Sequence, residues 1–210
     1  MNKQPVRLYY HPLSRAENVL WMLEELGRPY ELEYVDVHSG AQRTPAFLAL
    51  NPMGKLPVLV DGDTVVTESA AIGLYLADRY GLGRLAPRFD DPARGAYLRW
   101  SLFAPSVLEP GAYAKAAKWE YQAASAGWGT YEAMLAAIDS AIADGPWLLG
   151  DRFSMADVIF GGTVRNLLRF ELLEARPGVT AYVARLCERP AARATQAKTA
   201  AMVEQYGLRP

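Results

Sequence analysis

Three short segments in the first third of the chain combine polar side chains with unusual backbone demands: His11-Pro12-Leu13-Ser14-Arg15, Lys55-Leu56-Pro57 and Glu68-Ser69. Ser14 follows a β-rich run and precedes a helical periodicity, where free backbone N–H groups and the helix dipole favour an anion; its hydroxyl can donate one more hydrogen bond. The same position suits a serine that simply caps the helix. Leu56-Pro57 opens a predicted strand, and a proline has no N–H for a ladder, so it belongs at the strand's beginning or at an edge. If that peptide bond is cis, the Leu56 backbone turns outward and can pair with a ligand's own peptide groups. Lys55, just before it, suits either a carboxylate or plain solvent. Glu68-Ser69 starts a helix whose N–H groups and serine hydroxyl can bind one carboxylate while Glu68 faces an ammonium. Together the three segments describe a site for a small, extended, zwitterionic peptide with an acid at each end.

The elements that must position these residues follow from hydrophobic period. Val6 to Tyr10 is a β-rich run, and after the proline-containing break Val19, Leu20, Met22, Leu23 and Leu26 recur at helical spacing before Gly27. Tyr30 to Val37 alternates as a strand, and Pro45 to Leu50 makes one or two helical turns. Pro57 to Val60 and Thr64 to Val66 form a hairpin around Asp61-Gly62-Asp63, and a helix runs from near Glu68 to Gly81. The order is βαβ, a connection, then ββα. Residues 82–91 carry Gly83, Pro87 and paired aspartates without sustained periodicity and read as a linker between a first domain, 1–81, and a second, 92–210.

The second domain reads as an all-helical bundle. Asp91-Pro92 opens a long helix that Pro105 and Pro110 bend or interrupt. Another runs from about Tyr131 to Ala143. Near Ser154 the signals are strongest: Ser154 as N-cap, Asp157 reaching back, and Phe153 and Val158 placed as a hydrophobic staple. Trp100, Trp119 and Trp128 suit bundle core, and Cys187, on a late helix, reads as a buried small hydrophobe.

Composition narrows the function. With 210 residues, 22 Lys+Arg against 23 Asp+Glu and a net charge of −1, binding to nucleic acid by bulk charge is excluded; 51% hydrophobic residues supply a core and exclude disorder. No secretory leader and no apolar run long enough to span a membrane occurs, so the expected location is cytoplasmic. One cysteine permits no internal disulfide and no Cys-x-x-Cys pair, and two histidines are too few for a metal site.

The runs YYHPLS, NPMGKLPVLVDGD, TESAAIGLYLADRYG and GDRFSMADV resemble, at matching spacings over nearly the whole chain, the soluble glutathione transferase family. The resemblance implies a thioredoxin-like first domain, a helical second domain, glutathione as co-substrate without a metal, and a homodimer. Within the family the pattern is closest to the serine type, of theta, phi or delta kind. Ser14 then matches the hydroxyl that holds the glutathione sulfur as thiolate. Tyr9 is the rival, because tyrosine-type members place that hydroxyl within the first strand; Tyr9 and Tyr10 should point to opposite sheet faces, so at most one reaches the site. Pro57 matches the family's cis-proline, Leu56 the backbone that pairs with the cysteinyl portion, and Lys55 and Gln42 positions that contact the glycine carboxylate. Glu68 and Ser69 match the pair binding the γ-glutamyl end. Arg15 and Asn18 are further polar contacts or exposed helix residues. The absence of cysteine at or beside Ser14 argues against a mixed-disulfide mechanism.

An apolar electrophile should bind beside the sulfur, between the first-domain loop and the long helix; Leu13, Phe103, Val107 and Tyr113 suit that cleft or the core equally. The leading expectation is an enzyme that joins glutathione thiolate to such an electrophile. Alternatives are glutathione-dependent reduction of peroxides or disulfides at the same site, and a non-catalytic, transferase-like binding module, against which the intact set of Ser14, Pro57, Glu68 and Ser69 argues.

Overall fold

The structure, a computed structural model, describes residues 5–209; residues 1–4, at the start of the first expected domain, and Pro210 lie outside the described residues. Two compact units emerge. One holds the chain up to Tyr80 together with everything from Arg189 onward, and the other spans Gly81–Glu188.

In the first unit, β1 (Val6–Tyr10), α1 (Ala16–Leu26) and β2 (Tyr30–Tyr34) form the βαβ half. A 3-10 turn (Ala41–Arg43) and the short α2 (Pro45–Leu50) lead to β3 (Val58–Asp61), β4 (Thr64–Thr67) and α3 (Ser69–Tyr80). The sheet order is β2-β1-β3-β4, with β1 parallel to β2 and antiparallel to β3, and β3 antiparallel to β4. Alternation divides β1 as expected. Val6, Leu8 and Tyr10 are fully buried, whereas Tyr9 sits on the opposite face, edge-on to Phe47 of α2 in a small cluster with Val35 and Val58. The hairpin closes at Asp61, whose buried carboxylate accepts from Tyr75 Oη at 2.9 Å and from the Tyr80 hydroxyl, with Arg79 Nε at 3.2 Å.

The last helix, α9 (Pro190–Gln205), belongs to this unit by its contacts, although its place in the chain suggests the helical bundle. It lies along α1: Arg189 grips Glu25 through two 2.7 Å contacts, and Lys198 reaches Glu24 and Tyr30. Thr199 Oγ1 meets Tyr10 Oη at 2.8 Å, and burial pushes the Tyr10 phenol up to about 12, so it remains protonated.

The second unit contains α4 (Arg94–Phe103), a π-helical segment (Ala104–Leu108) around Pro105, α5 (Glu109–Ala116), α6 (Tyr131–Ala141), α7 (Met155–Arg169) and α8 (Pro177–Cys187). Pro105 and Pro110 therefore do interrupt the long helix, by loosening one turn rather than ending it. Asp91 caps the approach to α4 by accepting from Ala93 N–H at 2.8 Å. The α7 capping box forms, with Ser154 N–H donating to Asp157 Oδ2 at 2.9 Å. Asp157 does more than cap: its Oδ1 also accepts from Leu148 N–H at 2.9 Å and Tyr182 Oη at 3.0 Å, so one buried carboxylate joins a loop, α7 and α8. Two expectations need correction. Trp119 is 55% exposed rather than core, because α5 ends at Ala116 and leaves it in a loop; Cys187 is only half-buried, at the last turn of α8. Among the described residues no helix is long and apolar enough to cross a membrane.

Candidate functional site

Strand register brings the three polar segments to one edge. Tyr9 pairs with Val58 across the β1/β3 ladder, and Val58 pairs with Thr67 across β3/β4. The chain therefore leaves β1 into His11–Ser14, enters β3 from Lys55–Pro57 and leaves β4 into Glu68–Ser69 all at the same end of the sheet. Adjacent strands are about 4.8 Å apart, so the three segments span about 10 Å, the length of an extended tripeptide.

Ser14, half-buried in the turn before α1, donates its hydroxyl to the His11 carbonyl at 2.8 Å and accepts from Ala16 N–H at 3.2 Å. Arg15 occupies the N-cap position of α1, and Ser14 closes the turn just ahead of it, beside the helix N-terminus. Tyr9 is committed elsewhere: its ring packs on Phe47, and its hydroxyl bonds the Arg7 guanidinium, which Tyr9 and Glu31 hold above its ordinary value. Asn18, one turn into α1, is buried rather than exposed, with Oδ1 lacking a hydrogen-bond partner.

The Leu56-Pro57 peptide bond is cis. Lys55 is exposed, Leu56 half-buried and Pro57 buried. Asn51, which sequence reasoning passed over, shapes this stretch: its side chain donates to the Lys55 carbonyl at 2.8 Å and accepts from Met53 N–H at 3.1 Å, and its own carbonyl accepts from Gly54 N–H at 2.9 Å. The Asn51-Pro52 pair was the available signal, since an asparagine before proline favours a turn closed by its own side chain. Gln42 donates one amide N–H to the Val37 carbonyl at 3.2 Å, and its Oε1 is buried without a partner. Arg43 Nη1 lies 3.1 Å from where a Gly54 side chain would begin, which sets a cation against the residue that precedes Lys55.

Glu68 has φ of +65°, a left-handed conformation that a non-glycine residue rarely adopts, and its carbonyl accepts the Ile72 N–H at 2.9 Å to begin α3. Holding a side chain there costs of order 1–3 kcal/mol, and such strain gathers where a side chain or backbone group is aimed at a ligand. Ser69 is the first residue of α3 and half-buried, so a helix N-terminus stands beside Glu68 as another stands beside Ser14. Leu13, half-buried, lies in the turn before α1. In the second unit Phe103 packs against Trp100 and Phe160, Val107 lies in the π-helical segment, and Tyr113 on α5 is 42% exposed.

The chain matches the families described as "Glutathione S-transferase, N-terminal domain" over residues 4–78 and "Glutathione S-transferase, C-terminal domain" over 121–185. It is 48% identical to Glutathione S-transferase 3 of Zea mays over 77 residues, a span that covers 36% of this chain and only 35% of the maize protein. Identity to Glutathione S-transferase GstB of Escherichia coli K12 is 33% over 192 residues, covering 86% of this chain and 91% of that one. The crystal structure of glutathione transferase URE2P6 from Phanerochaete chrysosporium, in complex with oxidized glutathione, is similar over 94% of this chain and 97% of that one, with 27% identity and a TM-score of 0.77.

Proposed function

The chain belongs to the glutathione S-transferase family, and we propose that it binds glutathione along the edge formed by Ser14, Leu56 and Glu68, with Ser14 holding the sulfur as thiolate. The observation that carries the reading is the alignment of Tyr9, Val58 and Thr67 across three strands, which brings three segments of complementary chemistry within a tripeptide's length. In this reading the Leu56 backbone pairs with the cysteinyl portion, and Lys55 and Arg43 meet the glycine carboxylate. Glu68 takes the γ-glutamyl ammonium, and Ser69 with the N-terminus of α3 takes its carboxylate. The second amide N–H of Gln42 adds a donor toward the same glycine carboxylate.

A free thiol has a pKa near about 8.5 and is mostly protonated at neutral pH. A hydroxyl donating to the sulfur anion favours ionisation, and the N-terminus of α1 adds a smaller term in the same direction. Ser14 thus stabilises an anion and is not the nucleophile. Bound beside an apolar electrophile, the thiolate forms the new carbon–sulfur bond as the leaving group departs or the acceptor takes the electron pair; proximity supplies the rest of the acceleration. On the first unit, Leu13 in the Ser14 turn is the residue proposed to meet that electrophile. The proposal includes a homodimer and a cytoplasmic location, both in keeping with the family.

A second reading is favoured by one observation, the oxidized glutathione bound to URE2P6. At the same site a glutathione thiolate would attack a mixed disulfide and expel the partner's sulfur as thiolate, which releases oxidized glutathione. Calorimetric titration with glutathione, followed by turnover assays on an aryl halide and on a glutathionylated disulfide, tests both. Absence of glutathione binding overturns the site; turnover of the disulfide alone selects the second reading.

A further inference from the structure

His11 stands between β1 and the Ser14 turn and is 1% exposed. Its Nδ1 accepts the Leu13 N–H at 3.2 Å, while its carbonyl accepts both the Ser14 N–H at 3.1 Å and the Ser14 hydroxyl at 2.8 Å. Side chain and main chain of one residue therefore hold successive positions of a single turn. An Nδ1 that accepts must leave the ring proton on Nε2. That Nε2 is buried without a hydrogen-bond partner, a burden that an aliphatic side chain of similar size would avoid. The ring is fixed instead by aromatic packing: it stacks on Tyr34 at 5.8 Å and 26° and meets His38 edge-on at 5.6 Å, and Tyr34 in turn stacks on Tyr206 at 3.8 Å and 6°.

Retaining a polar ring at this cost makes sense if Nδ1 has a task, and the one bond it makes is to the turn that carries Ser14. We propose that His11 is a positioning residue for the transferase chemistry: its ring, clamped by Tyr34 and His38, fixes the 11–14 turn so that the Ser14 hydroxyl is held at the His11 carbonyl and needs only to rotate to reach the glutathione sulfur. The inference rests on the assignment of Ser14 given above. It adds a residue that touches neither substrate nor sulfur, and whose effect passes entirely through the geometry of Ser14, where a shift of about 1 Å is enough to lose most of the benefit.

Two substitutions separate this role from plain packing. His11→Asn places an sp² oxygen where Nδ1 stood and can close the same turn with Leu13 N–H; His11→Leu keeps apolar bulk and removes the acceptor. With glutathione bound, His11→Leu is expected to raise the thiol pKa, read from thiolate absorbance against pH, to the value found in Ser14→Ala. It should lower kcat about tenfold at neutral pH and change KM for glutathione less than about threefold, the tenfold corresponding to one pKa unit. His11→Asn recovers most of both losses. The inference is overturned if His11→Leu leaves the thiol pKa where the parent has it, or if His11→Asn is impaired as fully as His11→Leu. When Ser14→Ala itself leaves the thiol pKa unmoved, the Ser14 assignment falls and takes this inference with it; when Ser14→Ala moves it and His11→Leu does not, only the role of His11 falls. Should His11→Leu not fold, nitrogen-15 shifts of the parent's imidazole decide: a ring protonated at Nε2 with an accepting Nδ1 supports the inference, and one protonated at Nδ1 overturns it.

Discussion

The Ser14 hydroxyl donates to the His11 carbonyl oxygen at 2.8 Å while it accepts from Ala16 N–H at 3.2 Å. Its single proton is therefore in use before any ligand arrives, and serving a thiolate means exchanging one acceptor for a better one. A neutral hydrogen bond contributes about 0.5–1.5 kcal/mol and one to a charged group about 1.5–3 kcal/mol, so the exchange nets roughly 1–1.5 kcal/mol, close to one pKa unit. Ser14→Ala is expected to raise the bound thiol's pKa by about one unit and to lower the rate at neutral pH about tenfold. Tyr9→Phe should leave the thiol pKa in place, since that hydroxyl faces Arg7 and the ring packs on Phe47. Thiolate absorbance against pH in both variants is the measurement; a shift confined to Tyr9→Phe would reverse the assignment.

Glu68 offers a test in which stability and binding move apart. Its backbone at φ +65° disfavours any side chain, whereas glycine adopts that conformation freely. Glu68→Gly relieves roughly 1–2 kcal/mol of strain and incurs about 0.5–1 kcal/mol of extra chain entropy, so the midpoint of urea unfolding should stay level or rise. If the carboxylate faces the γ-glutamyl ammonium, glutathione affinity should fall at least tenfold in the same variant. A variant that loses stability and keeps its affinity assigns Glu68 to the fold instead.

These two residues also mark how far the sequence could be read. Each of the three segments carries its own backbone signal: a serine at a strand-to-helix junction, a proline where a strand begins, an acidic-hydroxyl pair where a helix begins. Their convergence depended on register, and register between β1, β3 and β4 is a long-range property that no local pattern encodes. Asn51, His11 and the buried Asn18 were missed or underrated for a related reason, because their roles are hydrogen bonds to backbone groups whose positions only the folded loops define. The return of α9 to α1 is illegible in its own residues. An alanine-rich helix with small apolar faces suits many partners, and the choice is made by Glu24, Glu25 and Tyr30 on the elements it meets.

The buried His11 ring also predicts how stability responds to acid. Burial, and the neighbouring His38 to a lesser degree, hold its pKa below the ordinary value of 6.5; Asp36 opposes them, and Tyr34, itself stacked on Tyr206, packs on the ring. In the unfolded chain the imidazole protonates near pH 6.5, so below that pH the unfolded state binds more protons than the folded one. The contribution is complete above pH 6.5 and is lost as pH falls below it through the depressed folded value. Urea unfolding free energy measured between pH 7 and pH 5 should therefore decline more in the parent than in His11→Asn, and equal slopes would remove His11 from the account.

Helix α9 is held to α1 by a pair that can be measured directly. Glu25, whose side chain is 5% exposed, receives Arg189 Nε and Nη2 at 2.7 Å each and the Trp21 indole N–H at 3.0 Å. A bidentate, largely dry pair of this kind couples more strongly than a surface ion pair. The coupling free energy from Glu25→Gln, Arg189→Met and the double variant should be about 1–3 kcal/mol. A value near zero would mean that α9 is retained by Thr199, Lys198 and its apolar contacts alone.

Gly54 separates two reasons for a glycine at the binding loop. Its φ is +59°, and a side chain there would begin 3.0 Å from the Gln42 carbonyl oxygen and 3.1 Å from Arg43 Nη1. Left-handed backbone alone costs an alanine about 1–2 kcal/mol, and the contact with a backbone oxygen adds to that because the oxygen cannot swing aside. Gly54→Ala meets both obstacles, whereas Gly54→Asn tolerates the left-handed backbone and meets only the contact. Because Gly54 adjoins Lys55 and the Asn51 turn that presents Leu56, displacement of this loop should raise KM for glutathione about tenfold, equivalent to about 1.4 kcal/mol, and leave kcat at saturation unchanged. Equal rises in Gly54→Ala and Gly54→Asn identify the close approach to Gln42 and Arg43 as the reason for the glycine. A rise in Gly54→Ala alone identifies the backbone conformation, and a fall in kcat in either variant would show that the loop also governs Ser14 rather than substrate binding alone.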